Sequence, residues 1–380
     1  MTTDPLAPDS LGQMVKCPIT MRLLPMRLKP MCLKYGSVVS TATWTLVLLL
    51  LFSFSGLRAD AQNAPLISGG VGFLTTTDNG VTSVQPVIAP VAAVPLGEHL
   101  LVESRAFIED FIAPKNGNSG PYEGNFFAGL QYLQLDYIAA PKLTVTVGDF
   151  LTPFGTYNER LAPIWITNLQ DAPLISPIGI QNGSSVGAML RGAALSTSHL
   201  QLNYAGYFSV ASGVKQFTGE RAAGGQFSMY LPDKRLEIGA SYSRLLQGQQ
   251  GNSTGVHLWW EPYRVPLAIR SEYAHGPHAQ GYWMEAAYRL SQWKGPDSWL
   301  GRLEPVFRMQ QTFRESPGQG DHLPAANTQQ ADFGLDYHLP HEVRVNTSYG
   351  RQFSSAGNVN IWETTVTYRF LFPAWKGGLK

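Results

Sequence analysis

From Ile67 to Phe370 the chain repeats segments of roughly 9–14 residues in which apolar and polar side chains alternate. A period of two puts successive side chains on opposite faces of a β-strand. In 235–244, Leu236, Ile238, Ala240 and Tyr242 share one face, and Arg235, Glu237, Gly239, Ser241 and Ser243 the other. In 342–349, Val343, Val345, Thr347 and Tyr349 oppose Glu342, Arg344, Asn346 and Ser348; in 360–370, Trp362, Val366, Tyr368 and Phe370 oppose Glu363, Thr365, Thr367 and Arg369. Read this way, the chain holds sixteen strands: 67–76, 83–94, 98–110, 126–138, 142–150, 185–195, 198–209, 221–231, 235–246, 253–261, 264–273, 280–290, 302–314, 328–338, 342–352 and 358–370. Pro86, Pro90 and Pro95 argue against the second, because proline donates no ladder hydrogen bond. Without the first two strands the count is fourteen, still even.

The connections have a parity. Those after even-numbered strands are short: Ala139–Pro141, Ser196-Thr197, Pro232–Lys234, Pro262-Tyr263 and Leu339–His341. Those after odd-numbered strands are mostly long, as in Phe111–Asn125, Leu151–Ser184, Val210–Glu220 and Glu315–Asn327; Ser291–Gly301 breaks the rule. Asp78-Asn79-Gly80 supplies a tight hairpin turn. Short turns at one end and long loops at the other are the pattern of a transmembrane β-barrel, with an apolar face toward lipid and a polar face toward water. Tyr204, Phe208, Tyr230, Tyr242, Trp260, Tyr273, Tyr337, Tyr349 and Tyr368 lie near the ends of apolar faces, where aromatic girdles meet headgroups. A sheet in lipid must close on itself, so 358–370 should pair with 67–76. The fold class is therefore all-β, a closed antiparallel barrel of about sixteen strands, a size that leaves an aqueous channel.

Composition agrees. The 380 residues are 14% charged and 11% aromatic with 38 glycines, a low charge fraction for a water-soluble domain. The one long apolar run, Trp44–Phe54, follows Arg22, Arg27, Lys29 and Lys34 and precedes Ala59-Asp60-Ala61. This is the plan of a secretory signal peptide with cleavage before Gln62. The expected domains are residues 1–61 as signal peptide and 62–380 as one barrel, with 371–380 as a tail. Cys17 and Cys32 both fall in the removed segment, which excludes a disulfide framework. Removal of six basic and three acidic residues leaves 22 and 24, net −2, which gives no support for nucleic-acid binding.

Leu151–Ser184 is the longest internal stretch without strand character, and it carries Phe154, Leu161, Ile164, Trp165, Ile166, Leu169, Ile175 and Ile178. So apolar a loop needs cover. It is read as folding into the barrel and narrowing the lumen, with Pro153, Phe154, Gly155, Tyr157, Glu159, Arg160 and Trp165 as constriction residues. The other readings are an outer cap or an oligomer contact. At its start, Gly148-Asp149-Phe150-Leu151-Thr152-Pro153-Phe154-Gly155 resembles the G-x-F-x-x-P-F-G signature of Gram-negative outer-membrane porins of the phosphate-selective type and their relatives. The resemblance implies a 16-stranded barrel, a homotrimer and an inward third loop. Those proteins have lysine- and arginine-rich lumens, whereas only seven lysines follow residue 61 here, so phosphate selectivity does not carry over.

By strand parity Arg105, Arg191, Arg235, Arg270, Arg289, Arg308, Arg344 and Arg369 point inward. So do Glu103, Glu237, Glu272, Glu285, Glu304, Asp332, Asp336, Glu342 and Glu363. Rings of charge bias a pore, and mixed signs favour pairing across strands. Catalysis would need a nucleophile beside a base oriented by a carboxylate. Among eight histidines His257, beside Trp259 and Glu261, is the one arrangement of that kind on an inward face. His275 and His278 lack further ligands for a metal. No enzyme activity, cofactor or metal is expected. The expected function is passive diffusion of small hydrophilic solutes or ions across an outer membrane, with lipid and solute as partners; the alternative is a structural or adhesion barrel with a plugged lumen.

Overall fold

The computed structural model describes residues 65–117, 120–180, 183–211, 221–247, 250–316, 318 and 320–373. The leader with Cys17 and Cys32, most of the tail with Trp375, and part of the 210–220 connection lie outside the described residues. Sixteen antiparallel strands close into one barrel: β1 (Leu66–Asp78), β2 (Val81–Leu96), β3 (Leu100–Pro114), β4 (Tyr122–Ala140), β5 (Leu143–Leu151), β6 (Ser184–Ser196), β7 (Gln201–Ala211), β8 (Ala222–Leu231), β9 (Leu236–Leu245), β10 (Gly251–Trp260), β11 (Leu267–His275), β12 (Ala279–Tyr288), β13 (Leu303–Arg314), β14 (Thr328–His338), β15 (Val343–Ser354) and β16 (Val359–Pro373). Each strand pairs with its sequence neighbours, and β1 closes on β16 in continuous register from Leu66–Pro373 to Asp78–Ile361. No edge is left unpaired, the condition for a sheet that spans lipid.

The prolines of β2 are accommodated by where their missing N–H groups fall. The β1–β2 ladder is unbroken, while the β2–β3 ladder skips Gln85-Pro86 and Ala89-Pro90. The sheet loses two stretches of one ladder and keeps the strand. A second irregularity lies in β4, where Arg105 pairs with Tyr132 and Ala106 with Leu130, leaving Gln131 as a bulge. The extra residue reverses parity along β4. Phe126 and Leu130 face outward before it, Leu133 and Tyr137 after it, and Gln134 and Asp136 turn inward and are buried.

The outer face is apolar, with Phe73, Phe126, Phe227, Val256, Phe333 and Trp362 all about half exposed or more. The inner face over β5–β16 is mostly Ser, Thr, Gln and charge, much of it buried, with apolar patches at Phe150, Met189, Tyr207 and Ala222 and at Ala274 and Trp283. The inner face of β1 and β2 is also apolar, where Gly70, Gly72, Leu74, Val87 and Ala89 make a wall. Most turns sort by length; Asn79-Gly80, both at positive φ (47° and 87°), is a tight exception that closes the β1–β2 hairpin at the long-loop end. The segment between β12 and β13 is long at the short-turn end because it holds a one-turn helix, Ser291–Lys294.

Candidate functional site

The octapeptide at the end of β5 steers the loop that follows it into the barrel. Gly148 sits at φ +120°, where a Cβ would come within 2.6 Å of the Leu133 carbonyl oxygen on β4. Phe150 is fully buried on the inner wall against Met189, Tyr207 and Ala222, so the strand ends over an apolar footing. Phe154 then packs with Leu161, Ile175, Ile178, Ala274 and Trp283. Gly155, at φ +65°, lies so close to Glu272 of β11 that any Cβ would overlap its carboxylate. An L-residue would be strained there on both counts.

From this corner the segment 152–180 runs along the inner wall, its polar backbone satisfied by inward side chains. The Gly155 N–H donates to Ser241 Oγ at 3.0 Å and its carbonyl accepts from Gln226 Nε2 at 2.7 Å. The Thr156 N–H donates to Glu272 Oε2 at 3.0 Å. Asn168 Nδ2 donates to Glu285 Oε1 at 3.0 Å, and its carbonyl accepts from Asn346 Nδ2 at 2.6 Å. The Arg308 guanidinium holds the Asp171 carbonyl at 2.6 Å, and Gln310 Oε1 accepts from the Leu174 N–H at 2.8 Å. Gln170 bridges Thr76 of β1 and Thr365 of β16, both at 2.6 Å. Trp165 and Ile164 fill the space left by Gly70 and Gly72, and Leu169 that left by Gly334. The loop is thus bonded to the arc from β8 to β16 and on to β1. Among the described residues no side-chain hydrogen bond joins it to β2, β3 or β4.

The inward charges fall into groups. Arg308 and Arg270 share Glu285, at 2.7 Å and 3.4 Å. Arg191 reaches Asp136 at 2.7 Å, and Thr146 donates to the same carboxylate at 2.5 Å. Arg344 lies 3.8 Å from Asp336 and donates to the Ile164 carbonyl at 3.1 Å. Asp332 is held by the Gln310 and Gln330 amides. Glu103 accepts from Gln134, and Arg105 lies over the Tyr132 ring, 5.3 Å from its centre. In the loop, Arg160 binds both Glu237 oxygens at 2.9 and 3.0 Å and stacks 4.2 Å from the Trp259 ring. Burial raises the Glu159 carboxyl to about 6 against the opposing pull of Arg191, Arg160 and His257. Burial likewise raises Asp171 and lifts the Tyr157 phenol to about 12.

Three assignments made from parity change. Arg235 and Glu342 were read as first strand residues, but both sit in turns at positive φ, 48° and 61°, and Arg289 lies just beyond β12. Arg235 still lines a cavity at the barrel's short-turn end, where it binds Glu261 at 3.2 Å. Glu342 and the exposed Arg369 stay at the rim, joined by the Arg369 N–H to the Glu342 carbonyl at 3.0 Å. Tyr230 was placed in the outer aromatic girdle; its partners in parity, Gln226 and Ser228, point inward, and Tyr230 lines the same cavity. Parity of charge alone also overlooked Gln226, Gln310, Asn346, Asn168 and Gln170, the amides that tether the loop. Inward Gln and Asn on strands facing an apolar loop were the available signal.

Two five-residue stretches, Gly183–Gly187 and Gly251–Gly255, fit the Gly-x-Ser-x-Gly pattern of serine hydrolases. Both enter β-strands rather than a strand-to-helix elbow, which is the context that pattern needs. Ser185 bonds Thr152 at 2.8 Å. His257 is fully buried, 3.4 Å from Glu237 rather than beside Glu261. Ser316 Oγ lies 2.8 Å from His278 Nδ1, and among the described residues no cluster could hold a metal ion.

No family model matches the chain, and no curated protein matches it in sequence. The class is set by fold: a closed 16-stranded antiparallel barrel of the porin kind. The structure is similar to that of Salmonella typhi OmpF in complex with daunomycin, at a TM-score of 0.56 and 13% identity over 83% of this chain and 100% of that one. It is also similar to an anion-selective porin from Comamonas acidovorans (TM-score 0.52, 10% identity, 80% and 98% covered) and to OmpT, an outer membrane protein of Vibrio cholerae (0.51, 10%, 83% and 99%).

Proposed function

We propose that the chain is an outer-membrane porin, exported by its leader, that lets small hydrophilic solutes diffuse through a channel narrowed by the 152–183 loop. The observation that carries this reading is the one-sided docking of the loop. It lies against β8–β16 and β1, meets β6 at its root through Thr152 and Ser185, and makes no side-chain hydrogen bond to β2, β3 or β4 among the described residues. The wall of β3 and β4 carries Glu103, Arg105, Glu109, Gln134 and Asp136, with Arg191 on β6 joined to it through Asp136. A passage between this wall and the loop would carry Glu159 on one side and Arg191 on the other, so the local field runs across the path. Because most inward charges are neutralised by partners, net ion preference should be weak. The barrel wall supplies the path, and the loop supplies the size limit; no bond is made or broken.

Homotrimer assembly is part of the reading. It is supported by the signature at 148–155 and by trimers among similar barrels, OmpT of Vibrio cholerae having been solved in a trimer form. Cross-linking of the purified barrel in mild detergent would test it. The test of the pore itself is osmotic swelling of liposomes holding the refolded 62–380 chain, with sugars of increasing size. Swelling should be fast for monosaccharides and fall steeply for larger sugars. Equal swelling with all sizes would remove the loop's role, and none would leave the plugged structural barrel.

A further inference from the structure

The loop tip closes over a cavity of about 330 Å³ on the short-turn side of the lumen, lined by Arg160, Tyr230, Arg235, Glu237, Trp259 and Glu261. That volume is at the small end of ligand pockets, which run about 300–1,000 Å³. Its charges come as two ion pairs, Arg160–Glu237 at 2.9 Å and Arg235–Glu261 at 3.2 Å. Both guanidiniums remain open to the lumen, with side chains 43% and 48% exposed, while the Glu237 and Glu261 side chains are 15% and 34% exposed. Trp259 Nε1 donates to Glu261 Oε1 at 2.8 Å, which fixes that carboxylate. The Arg235–Glu261 pair is partly open to water, where an ion pair contributes little. A solute's own carboxylate and ammonium can therefore replace those partners at small cost.

Resting on the pore reading, we infer that this cavity is a transit site for small zwitterions, α-amino acids and dipeptides. A free anion would reach the arginines but meet two carboxylates, and a free cation would meet the reverse. A zwitterion satisfies both signs at once. The Trp259 ring is taken by the guanidiniums of Arg160 and Arg270, 4.2 and 4.5 Å from its centre, and so is not free for a sugar to stack on.

The probe is L-alanyl-L-alanine, set against its N-acetyl form (an anion) and its C-terminal amide (a cation), added at pH 7 to single channels of the refolded chain in planar bilayers. The dipeptide should interrupt the current at concentrations about tenfold below either capped form, since each cap removes one charge-assisted contact. Arg235→Gln and Glu261→Gln should each weaken that block about tenfold, and the swap Arg235→Glu with Glu261→Arg should restore much of it. Equal block by all three probes, or none in a conducting channel, overturns the site. Calorimetric titration of the dipeptide into the detergent-folded barrel reads binding without any current. Binding in a folded, non-conducting barrel would sink the pore reading and keep the site, and no heat of binding would sink the site alone.

Discussion

The loop's hold on the wall should depend on Arg308, and the cost of losing it can be worked from its contacts. Its side chain is 2% exposed. Nε and Nη2 donate to Glu285 Oε2 at 3.1 and 2.7 Å, and Nη1 donates to the Asp171 carbonyl at 2.6 Å. Arg308→Ala removes all three and leaves Glu285, 3% exposed, with Arg270 at 3.4 Å and the Asn168 amide as partners. Truncating one member of a buried pair costs about 3–5 kcal/mol. Because Arg270 remains, the lower end applies. At 1.4 kcal/mol per decade, about 3 kcal/mol makes local opening roughly a hundredfold more frequent. The assay is amide hydrogen exchange by mass spectrometry in detergent, which reads local opening directly. Peptides covering 168–175, including the Leu174 N–H, should exchange about a hundredfold faster, while β2–β4 peptides stay as they were. Adding Arg270→Met and Glu285→Leu to Arg308→Met should restore the barrel, since Arg270 shares that carboxylate at 3.4 Å and no charge is then stranded, but not the tether to Asp171. Loop exchange within about threefold of the parent would refute the claim that this cluster holds the loop.

Gly155→Ala places a side chain at φ +65° into the Glu272 carboxylate; it should cost about 1–3 kcal/mol and expose Arg160 to trypsin in the folded barrel, whereas an uncut loop would contradict the corner's geometry. The loop should also respond to pH. The Glu159 carboxyl is raised to about 6 by burial, so the docked loop binds more protons than the undocked one between about 4.5 and 6. Docking is then firmest below that window and weakens as pH rises through it. Exchange in 156–162, corrected for intrinsic rates, should be slower at pH 4.5 than at pH 7, and Glu159→Gln should flatten the difference; a parent profile without that slope would count against the burial. Val256→Arg, on the outer face midway along β10 and 53% exposed, should cost about 2–4 kcal/mol on folding into liposomes. A neutral result would argue against lipid at that face.

Most of the barrel was legible because each strand turns an apolar face outward and a largely polar face inward, and a period of two survives in the sequence whatever the register. Ladder closure, Asn79-Gly80 and the signature at 148–155 each had a local signal. What stayed hidden depends on contacts between distant residues. The Gln131 bulge reverses parity in β4 without any mark in composition. Pro86 and Pro90 read as strand breakers because the gaps they need are gaps in one ladder only. The apolar inner wall of β1 and β2 makes sense only once Trp165 and Ile164 of the loop lie against Gly70 and Gly72. Arg235 and Glu342 were counted as strand residues one position too far, into turns at positive φ, although Arg235 still lines the barrel cavity.

The central claim is that the barrel conducts through a path narrowed by its loop. Single-channel recording of the refolded 62–380 chain in a planar bilayer, beside a variant with 156–180 replaced by a short Gly-Ser link, tests it most directly. Steady open steps in the parent and larger steps in the variant are the predicted result, with a small reversal potential under a salt gradient. A folded, heat-modifiable barrel that passes no current until the loop is removed would contradict the account and leave a plugged structural barrel in its place.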